Sequence, residues 1–188
     1  MFLSTDKISF RPIERDDLAM LRGWRNDPEI RQRTRERFPL NLLDQEKWWE
    51  GLRDRKNIMF LISFPAELIE AYLPIGVCGL THIDWSNRSA ELSWYIGDKN
   101  FRGKKLGRHI ISLLNNYGFL ELGLHRIFGE CYNNTDLPKV YEHLGFFIEA
   151  KMRDTYWYNG QWYGSTFFSM TDLEWNLMRE KYLNQSLL

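Results

Sequence analysis

The sequence predicts a mixed α/β (α+β) domain, a largely antiparallel twisted sheet of about seven strands flanked by about four helices. Three observations carry that prediction. The patterned segments run in the order β-α-α-β-β-β-α-β-α-β-β, and strands that follow one another without a helix pair antiparallel. An amphipathic helix over about 105–122 separates two strand-like segments and serves as one parallel crossover. Asn159-Gly160, between two runs rich in β-branched and aromatic residues, is the strongest hairpin signal in the chain.

Taken in order, residues 8–13 (ISFRPI) read as the first strand. Asp16 and Asp17 stand where a helix should start, and Leu18, Leu21 and Trp24 follow on one face. Asp27-Pro28 ends that helix, because the residue before a proline is pushed out of the helical region. A second helix over about 43–54 begins near Asp44 and carries Leu43, Trp48, Trp49 and Leu52. Strands follow over about 57–64, 74–84 and 88–97. In the last of these, Ala90, Leu92, Trp94 and Ile96 fall on one face and Glu91, Ser93 and Tyr95 on the other. After a basic turn, Leu106, Ile110, Leu113, Leu114 and Tyr117 recur at helical spacing. Residues 125–133 form a fifth strand, and 136–144 a short helix closed by Gly145. The two hairpin strands complete the order.

A length of 188 residues suits one domain, 1–188, and 44% hydrophobic with 15% aromatic residues suits a filled core. Lys+Arg 25 balances Asp+Glu 25, so no overall field draws the chain to nucleic acid or an anionic membrane. No run reaches the roughly 18–20 apolar residues that span a bilayer, and MFLSTDKISF lacks the pattern of a secretory signal. Cys78 and Cys131 make neither a disulfide framework nor a zinc pattern. His82, His109, His125 and His143 show no metal-ligand spacing, so no metal is expected. A cytoplasmic, soluble protein is the expectation.

The basic turn before the long helix holds Gly103 and Gly107 among Arg102, Lys104, Lys105 and Arg108. Backbone N–H groups at a helix N-terminus lack intrahelical partners and take up phosphate. The turn therefore reads as a pyrophosphate cradle, and the same residues also suit a plain turn whose charges face water. Neither G-x-x-x-x-G-K-[ST] nor G-x-G-x-x-G is present.

R-G-K-K-L-G (102–107) resembles the coenzyme A pyrophosphate loop of the GNAT N-acetyltransferases, [QR]-x-x-G-x-[GA]. Arg102 and Gly107 stand at its ends, and Lys105 stands where the family usually has its middle glycine. N-T-D-L-P-K-V-Y-E-H-L-G-F (134–146) resembles the second GNAT signature, N-x-x-[AS]-x-x-x-Y-x-x-x-G-F. Asn134, Tyr141, Gly145 and Phe146 are in register, with Leu137 replacing the small residue. I-S-F-R-P-I (8–13), W-R-N-D-P-E-I (24–30), R-S-A-E-L-S-W-Y-I (88–96) and Y-W-Y-N-G-Q-W-Y (156–163) extend the resemblance over nearly the whole chain. They point to the ribosomal-protein N-terminal acetyltransferase-like branch, which also contains enzymes acting on amino sugars and other small amines.

The resemblance implies acetyl transfer from acetyl-CoA to a primary amine by direct attack in a ternary complex. The strands over 90–97 and 125–133 would splay, and the backbone of Trp94, Tyr95 and Ile96 would pair with the pantetheine arm. Arg102, Gly103, Lys104, Lys105, Leu106, Gly107 and Arg108 would bind the pyrophosphate, and Asn134 would orient the cofactor. Tyr141 would protonate the leaving thiolate, and Glu91 would take the amine's proton.

Alternatives stand beside these roles. Glu91 also suits an ion pair with Arg88 or Arg126, and Tyr141 an ordinary packed aromatic. Cys131 suits a small buried residue better than an acetyl-carrying nucleophile. The arginines of residues 22–37 suit a loop facing an acidic substrate or water. Trp48 and Trp49 divide between an acceptor pocket and the core, and Asp154, Tyr156 and Trp157 carry the same ambiguity. Expected partners are an amine acceptor, small molecule or protein N-terminus, with no nucleic acid and no membrane, and a homodimer stays open. The competing class is a non-catalytic acyl-CoA-binding sensor or scaffold, motivated by Lys105 and Leu137.

Overall fold

Alternating apolar and polar side chains assemble a single sheet. In the computed structural model, which describes residues 2–66, 71–133 and 135–184, its strands are β1 (Leu3–Ser4), β2 (Ser9–Pro12), β3 (Ile58–Ala66) and β4 (Ala71–Asp84), then β5 (Ser89–Ile96), β6 (Arg126–Tyr132), β7 (Phe147–Tyr158) and β8 (Gln161–Thr171). They lie in the order β1-β2-β3-β4-β5-β6-β8-β7. Every neighbouring pair is antiparallel except β5 and β6. Eight strands replace the expected seven because β1, two residues facing Phe10 and Ser9, is too short to leave a pattern.

Six helices replace the expected four among the described residues: α1 (Leu18–Asn26), α2 (Pro28–Arg31), α3 (Leu42–Gly51), α4 (Gly107–Asn116), α5 (Leu137–His143) and α6 (Asp172–Asn184). Pro28 does end α1, but it then opens the one-turn α2, where its missing N–H costs nothing. Asp27 caps that turn, its Oδ1 accepting from the Glu29 N–H at 2.9 Å. Asn41, not Asp44, caps α3, each side chain accepting from the other's backbone N–H at 3.1 and 2.8 Å. A π-helical turn, Tyr117–Glu121, prolongs α4. α6 was legible as Thr171-x-x-Glu174, and Glu174 Oε2 does accept from the Thr171 N–H at 2.7 Å.

The sheet is covered on both faces. On one side Ala90, Leu92, Ile127 and Phe168 pack against Ile110 and Leu114 of α4, Tyr141 of α5 and Trp175 of α6. On the other, Leu61 and Val77 meet Leu18 and Leu21 of α1, with Trp24, Trp48, Trp49 and Tyr95 around them. The β5 alternation is thus realised, Trp94 and Ile96 on the α4 side and Tyr95 opposite. The hairpin turns on Asn159 (φ 48°) and Gly160 (φ 81°), the two left-handed residues that a two-residue turn of this kind requires.

One departure from regular pairing positions everything functional. β5 and β6 pair at Ser89–Arg126, Ala90–Ile127 and Glu91–Phe128, and no further. Beyond that point β4 holds β5 out to Ile96, and β8 holds β6 out to Tyr132. The two strands part as the resemblance implied.

Trp175 is fully buried, and its Nε1–H donates to Asn116 Oδ1 at 3.0 Å, tying α6 to α4. Trp175→Ala is expected to cost about 3–5 kcal/mol in urea unfolding. A loss under about 1 kcal/mol would show that α6 lies outside the cooperative core.

Candidate active site

A cavity of about 1040 Å³ opens where β5 and β6 part, walled by residues of α3, β4, β5, β6 and α5. On the α4 side, the Trp94 Nε1–H donates to Tyr141 Oη at 2.8 Å, bridging the gap. The far edge of the indole lies over the first turn of α4, where a Cβ on Gly107 would sit 2.9 Å from Trp94 Cη2. Gly107 is therefore required by the position of Trp94. Tyr141 stacks on Phe168 at 3.7 Å between centroids and meets Phe146 edge-on at 5.4 Å. Burial raises its phenol well above the ordinary range, against the opposing pull of the Trp94 bond. The phenol is protonated at neutral pH, and because Oη accepts from Trp94 its own hydrogen remains for another acceptor.

On the opposite face, Glu91 of β5 and Glu130 of β6 lie across the same gap, since Glu130 is two residues beyond Phe128 and shares its side of the sheet. Neither Arg88 nor Arg126 pairs with Glu91. Arg88 Nε donates to Gly123 O at 2.6 Å, and Arg126 forms a two-point ion pair with Glu149. Instead Arg35 reaches in from the segment between α2 and α3. Its Nη2 lies 2.7 Å from Glu91 Oε1 and 3.0 Å from Glu130 Oε2, and its Nη1 donates to Glu91 Oε2 at 3.0 Å. His82 Nδ1 lies 3.0 Å from the same Glu91 Oε2. His82 sits at an irregularity in the β4–β5 ladder in a left-handed conformation (φ 51°), its N–H held by Asn57 Oδ1 at 3.1 Å. Glu130 is held in turn by Ser165 Oγ–H at 2.5 Å, and Ser165 by Thr155 Oγ1–H at 2.7 Å.

One arginine of the arginine-rich stretch, Arg35, therefore meets carboxylates of its own chain, and Arg37 meets an aromatic ring. Tyr156 Oη–H donates to Gln32 O, and Arg37 lies 4.2 Å over the Tyr156 ring, which stacks on Tyr132. Asn26 exchanges two bonds with the Leu40 backbone, at 2.8 and 2.9 Å. The other ambiguities resolve similarly. Trp49 anchors the core, its Nε1–H donating to Ile13 O at 2.9 Å, while Trp48 lines the cavity. Tyr156 is buried, and Trp157 is half-exposed against Trp162. Cys131 lines the cavity, but burial first and the Glu130 charge second push its thiol up to about 12, so no thiolate nucleophile forms at neutral pH.

The basic turn departs from its reading in one residue. The Arg102 guanidinium is engaged through four of its five N–H groups: Nε donates to Ile96 O at 3.1 Å, Nη2 to Gly97 O at 2.7 Å and Asp27 Oδ2 at 2.8 Å, and Nη1 to Glu29 Oε2 at 2.5 Å. It is a strut between the end of β5 and α2, and it occupies the Ile96 carbonyl that the sequence reading reserved for a ligand. The rest of the turn is open. Gly103 (φ 76°) and Lys105 (φ 57°) are both left-handed, so Lys105 adopts the conformation for which a glycine is usual. Leu106 is buried at the N-cap of α4 and no side chain caps that helix, leaving its first N–H groups available. Lys104, Lys105 and Arg108 are exposed, with Lys104 Nζ 4.7 Å over the Phe101 ring. Asn134 lies outside the described residues. Leu137 packs on the core and lines the cavity.

Four residues escaped the sequence reading. Arg35 and His82 left no periodic signal, whereas Glu130 was legible from its parity with Phe128. Gln45 of α3 is the fourth, buried to 5% exposure, lining the cavity, its Oε1 without a hydrogen-bond partner. Among the described residues no His, Cys, Asp and Glu gather as a metal site, and no helix is long and apolar enough to cross a membrane.

Residues 7–147 match the family model described as an acetyltransferase (GNAT) domain. A Bacillus subtilis protein that bears the name "Putative ribosomal N-acetyltransferase YdaF" is 33% identical over 101 residues, 53% of this chain and 55% of that protein. Spermidine N(1)-acetyltransferase of Vibrio cholerae is 25% identical over 184 residues, 96% of this chain and 98% of the relative. The crystal structure of the Vibrio cholerae spermidine N-acetyltransferase with CoA and spermine superposes with a TM-score of 0.81 at 23% identity, covering 90% of this chain and 98% of that one. The fold is shared.

The Trp94–Tyr141 bond can be isolated by a double-mutant cycle. Trp94→Phe and Tyr141→Phe should each destabilise, and the coupling between them should be about 0.5–1.5 kcal/mol in denaturant unfolding. Coupling indistinguishable from zero would mean that the bond does not hold the gap.

Proposed function

The chain belongs to the GNAT acetyltransferase family and is an acetyl-CoA-dependent N-acetyltransferase, and from that premise we propose which residues carry the reaction and what amine they serve. The observation that carries the assignment is the parting of β5 from β6 over one cavity walled by Glu91 and Tyr141. The reading treats residues 1–188 as one acetyltransferase domain.

The residues present fit acetyl-CoA. The β5 edge from Leu92 onward has no strand partner on its β6 side, so the backbone groups of Trp94, with the Ile96 N–H, are available to the pantetheine amides; Tyr95, which the sequence also named, pairs with Val77 and turns its backbone groups to β4. The turn from Gly103 to Arg108 would hold the pyrophosphate through backbone N–H groups and the charges of Lys104, Lys105 and Arg108. Arg102 would act only by positioning that turn. Asn134, on the strength of the motif alone, is proposed to orient the cofactor. When bound, acetyl-CoA supplies the thioester whose acetyl group is transferred.

Each proton has a place. Glu91 takes the proton of the incoming ammonium, and His82, 3.0 Å away with its ring mostly exposed, offers a way to solvent. Tyr141 Oη gives its proton to the departing sulfur, and burial keeps that proton in place until then. Backbone N–H groups at the free β5 edge polarise the reacting carbonyl. Much of the rate gain comes from holding amine and thioester at the same opening.

The acceptor is read as a small cationic amine, and the relative named spermidine N(1)-acetyltransferase makes polyamines the first to test. The sensor alternative loses its motivation. Lys105 has the backbone conformation of the glycine it replaces, and Leu137 packs on the core without closing the cavity. The direct test is thiol release from acetyl-CoA with a panel of amines. Acetyl-CoA binding without release across the panel would favour the sensor.

Two variants separate chemistry from binding. Tyr141→Phe should lower kcat by about 10²–10⁴-fold while calorimetric affinity for acetyl-CoA stays within about threefold. A near-wild-type kcat where chemistry limits would remove Tyr141 as the acid. Lys104→Ala with Arg108→Ala should weaken acetyl-CoA binding by about 1–3 kcal/mol, less so in high salt. Unchanged affinity in the folded double variant would show that the turn does not hold the phosphates.

A further inference from the structure

We infer that Arg35 is a stand-in cation: the acceptor enters as an ammonium that replaces the guanidinium between Glu91 and Glu130 and offers a further N–H to Gln45. The inference rests on the acetyltransferase reading and deepens it, naming residues that select the acceptor.

Glu91 and Glu130 are nearly buried, their side chains 13% and 15% exposed, and they project from two strands that diverge. Two carboxylates in such a place need a shared cation, because desolvation penalises each charge and they repel one another. Arg35 meets that need. The three members differ in how they are held. Glu91 and Glu130 stand on paired strands, and Ser165 pins Glu130. Arg35 stands on residues 32–41, which form neither helix nor strand, and its side chain is 53% exposed. When a second cation competes for the seat, the arginine is the member free to leave. Its exit also releases Glu91 from an ion pair, so the carboxylate becomes available as base only once the ammonium is in place.

Gln45 is an independent sign of the same chemistry. The residue lines the cavity, and its Oε1, closed to solvent behind that lining, has no donor, so a turn of the amide would bring it to an acceptor. A carbonyl oxygen accepts only, so its natural partner is another N–H of the acceptor. Two carboxylates and an orphan carbonyl on one cavity all call for donors. A diamine or polyamine supplies them, whereas an amine carrying a carboxylate supplies one and brings a repulsive charge. Arg33 and Lys47 line the same cavity and would favour the opposite choice, which makes the sign of the variants decisive.

The test uses full-length enzyme at fixed saturating acetyl-CoA, with spermidine and, as an anionic comparator, glutamate. A site plugged by its own side chain binds with an affinity lowered by the fraction of time it is plugged. Arg35→Ala should therefore lower the KM for spermidine about threefold or more, and Arg35→Gln, which guards against misfolding, should do the same. Glu130→Gln and Gln45→Leu should each raise it by about fivefold or more, with acetyl-CoA affinity unchanged by calorimetry. A raised KM for spermidine in both Arg35 variants, or glutamate preferred over spermidine by the wild type, would overturn the inference, since Arg35 would then bind the acceptor. So would a Glu130→Gln enzyme with wild-type KM. Calorimetric binding of spermidine to the same variants in the presence of CoA gives the same signs without turnover. Absence of thiol release with every amine would count against the catalytic reading, while the binding signs would still decide the role of Arg35.

Discussion

Three residue pairs join β5 to β6, and the site depends on there being no more. The strands on either side of the crossover answer to different partners. β4 carries β5 in one direction and β8 carries β6 in another, so beyond Glu91–Phe128 the ladder cannot continue without tearing one of the longer antiparallel pairings. The edge so exposed carries backbone donors and acceptors that a closed fold would have to satisfy. Left open on a cavity, they become a place for an extended, amide-bearing ligand. α4 starts at the same spot because the crossover must begin where β5 ends, and this brings uncapped N–H groups to the mouth of the gap.

An opening in a sheet needs something to set its width, and here two side-chain bridges do so on opposite faces. Trp94–Tyr141 is neutral and partly buried, and each partner is fixed by packing, the indole against Gly107 and the phenol against Phe168. Neither ring can turn without meeting a wall, so the phenol's hydrogen has a fixed origin. Glu91–Arg35–Glu130 is charged, partly wet and anchored at one end on an irregular segment. Such a bridge holds less tightly, because solvent competes for each partner. The rigid bridge suits the proposed proton donor, and the exchangeable one suits the proposed entrance of a cation.

What the sequence disclosed, and what it did not, follows from the range of the forces involved. β5, α4 and the Asn159-Gly160 hairpin were legible because period and turn chemistry act over neighbouring residues. Glu91 and Tyr141, named by resemblance rather than by pattern, both line the cavity, and their roles in the chemistry are proposals. Arg35 could not be found, since its partners lie 56 and 95 residues away and nothing in an irregular segment marks which arginine turns inward. The partners of Arg102 were hidden for the same reason: a basic residue in a glycine turn looks free until Asp27 and Glu29, distant in sequence, arrive beside it. β1 was too short to register, but α6 announced itself through its capping box and was overlooked.

The basic turn shows which part of a motif is geometry and which is charge. Lys105 holds a left-handed backbone that costs a side-chain-bearing residue roughly 1–2 kcal/mol relative to glycine. The chain keeps the conformation and accepts the strain, so the position demands a backbone angle before it demands a residue type. Gly107 makes the converse case. Its backbone is ordinary helix, and what forbids a side chain is the indole of Trp94, so this glycine belongs to the bridge over the gap as much as to the cradle. Arg102 is geometry too, a strut that ties the end of β5 to Asp27 and Glu29. Once Gly107 and Arg102 are counted as shape, the charge left for the proposed pyrophosphate contact is Lys104, Lys105 and Arg108, all exposed, all within one turn of an uncapped helix start. Charge placed so near solvent is screened and replaceable, whereas the backbone that aims it is neither. The departure at Lys105 therefore alters the replaceable part of the site and leaves the other intact.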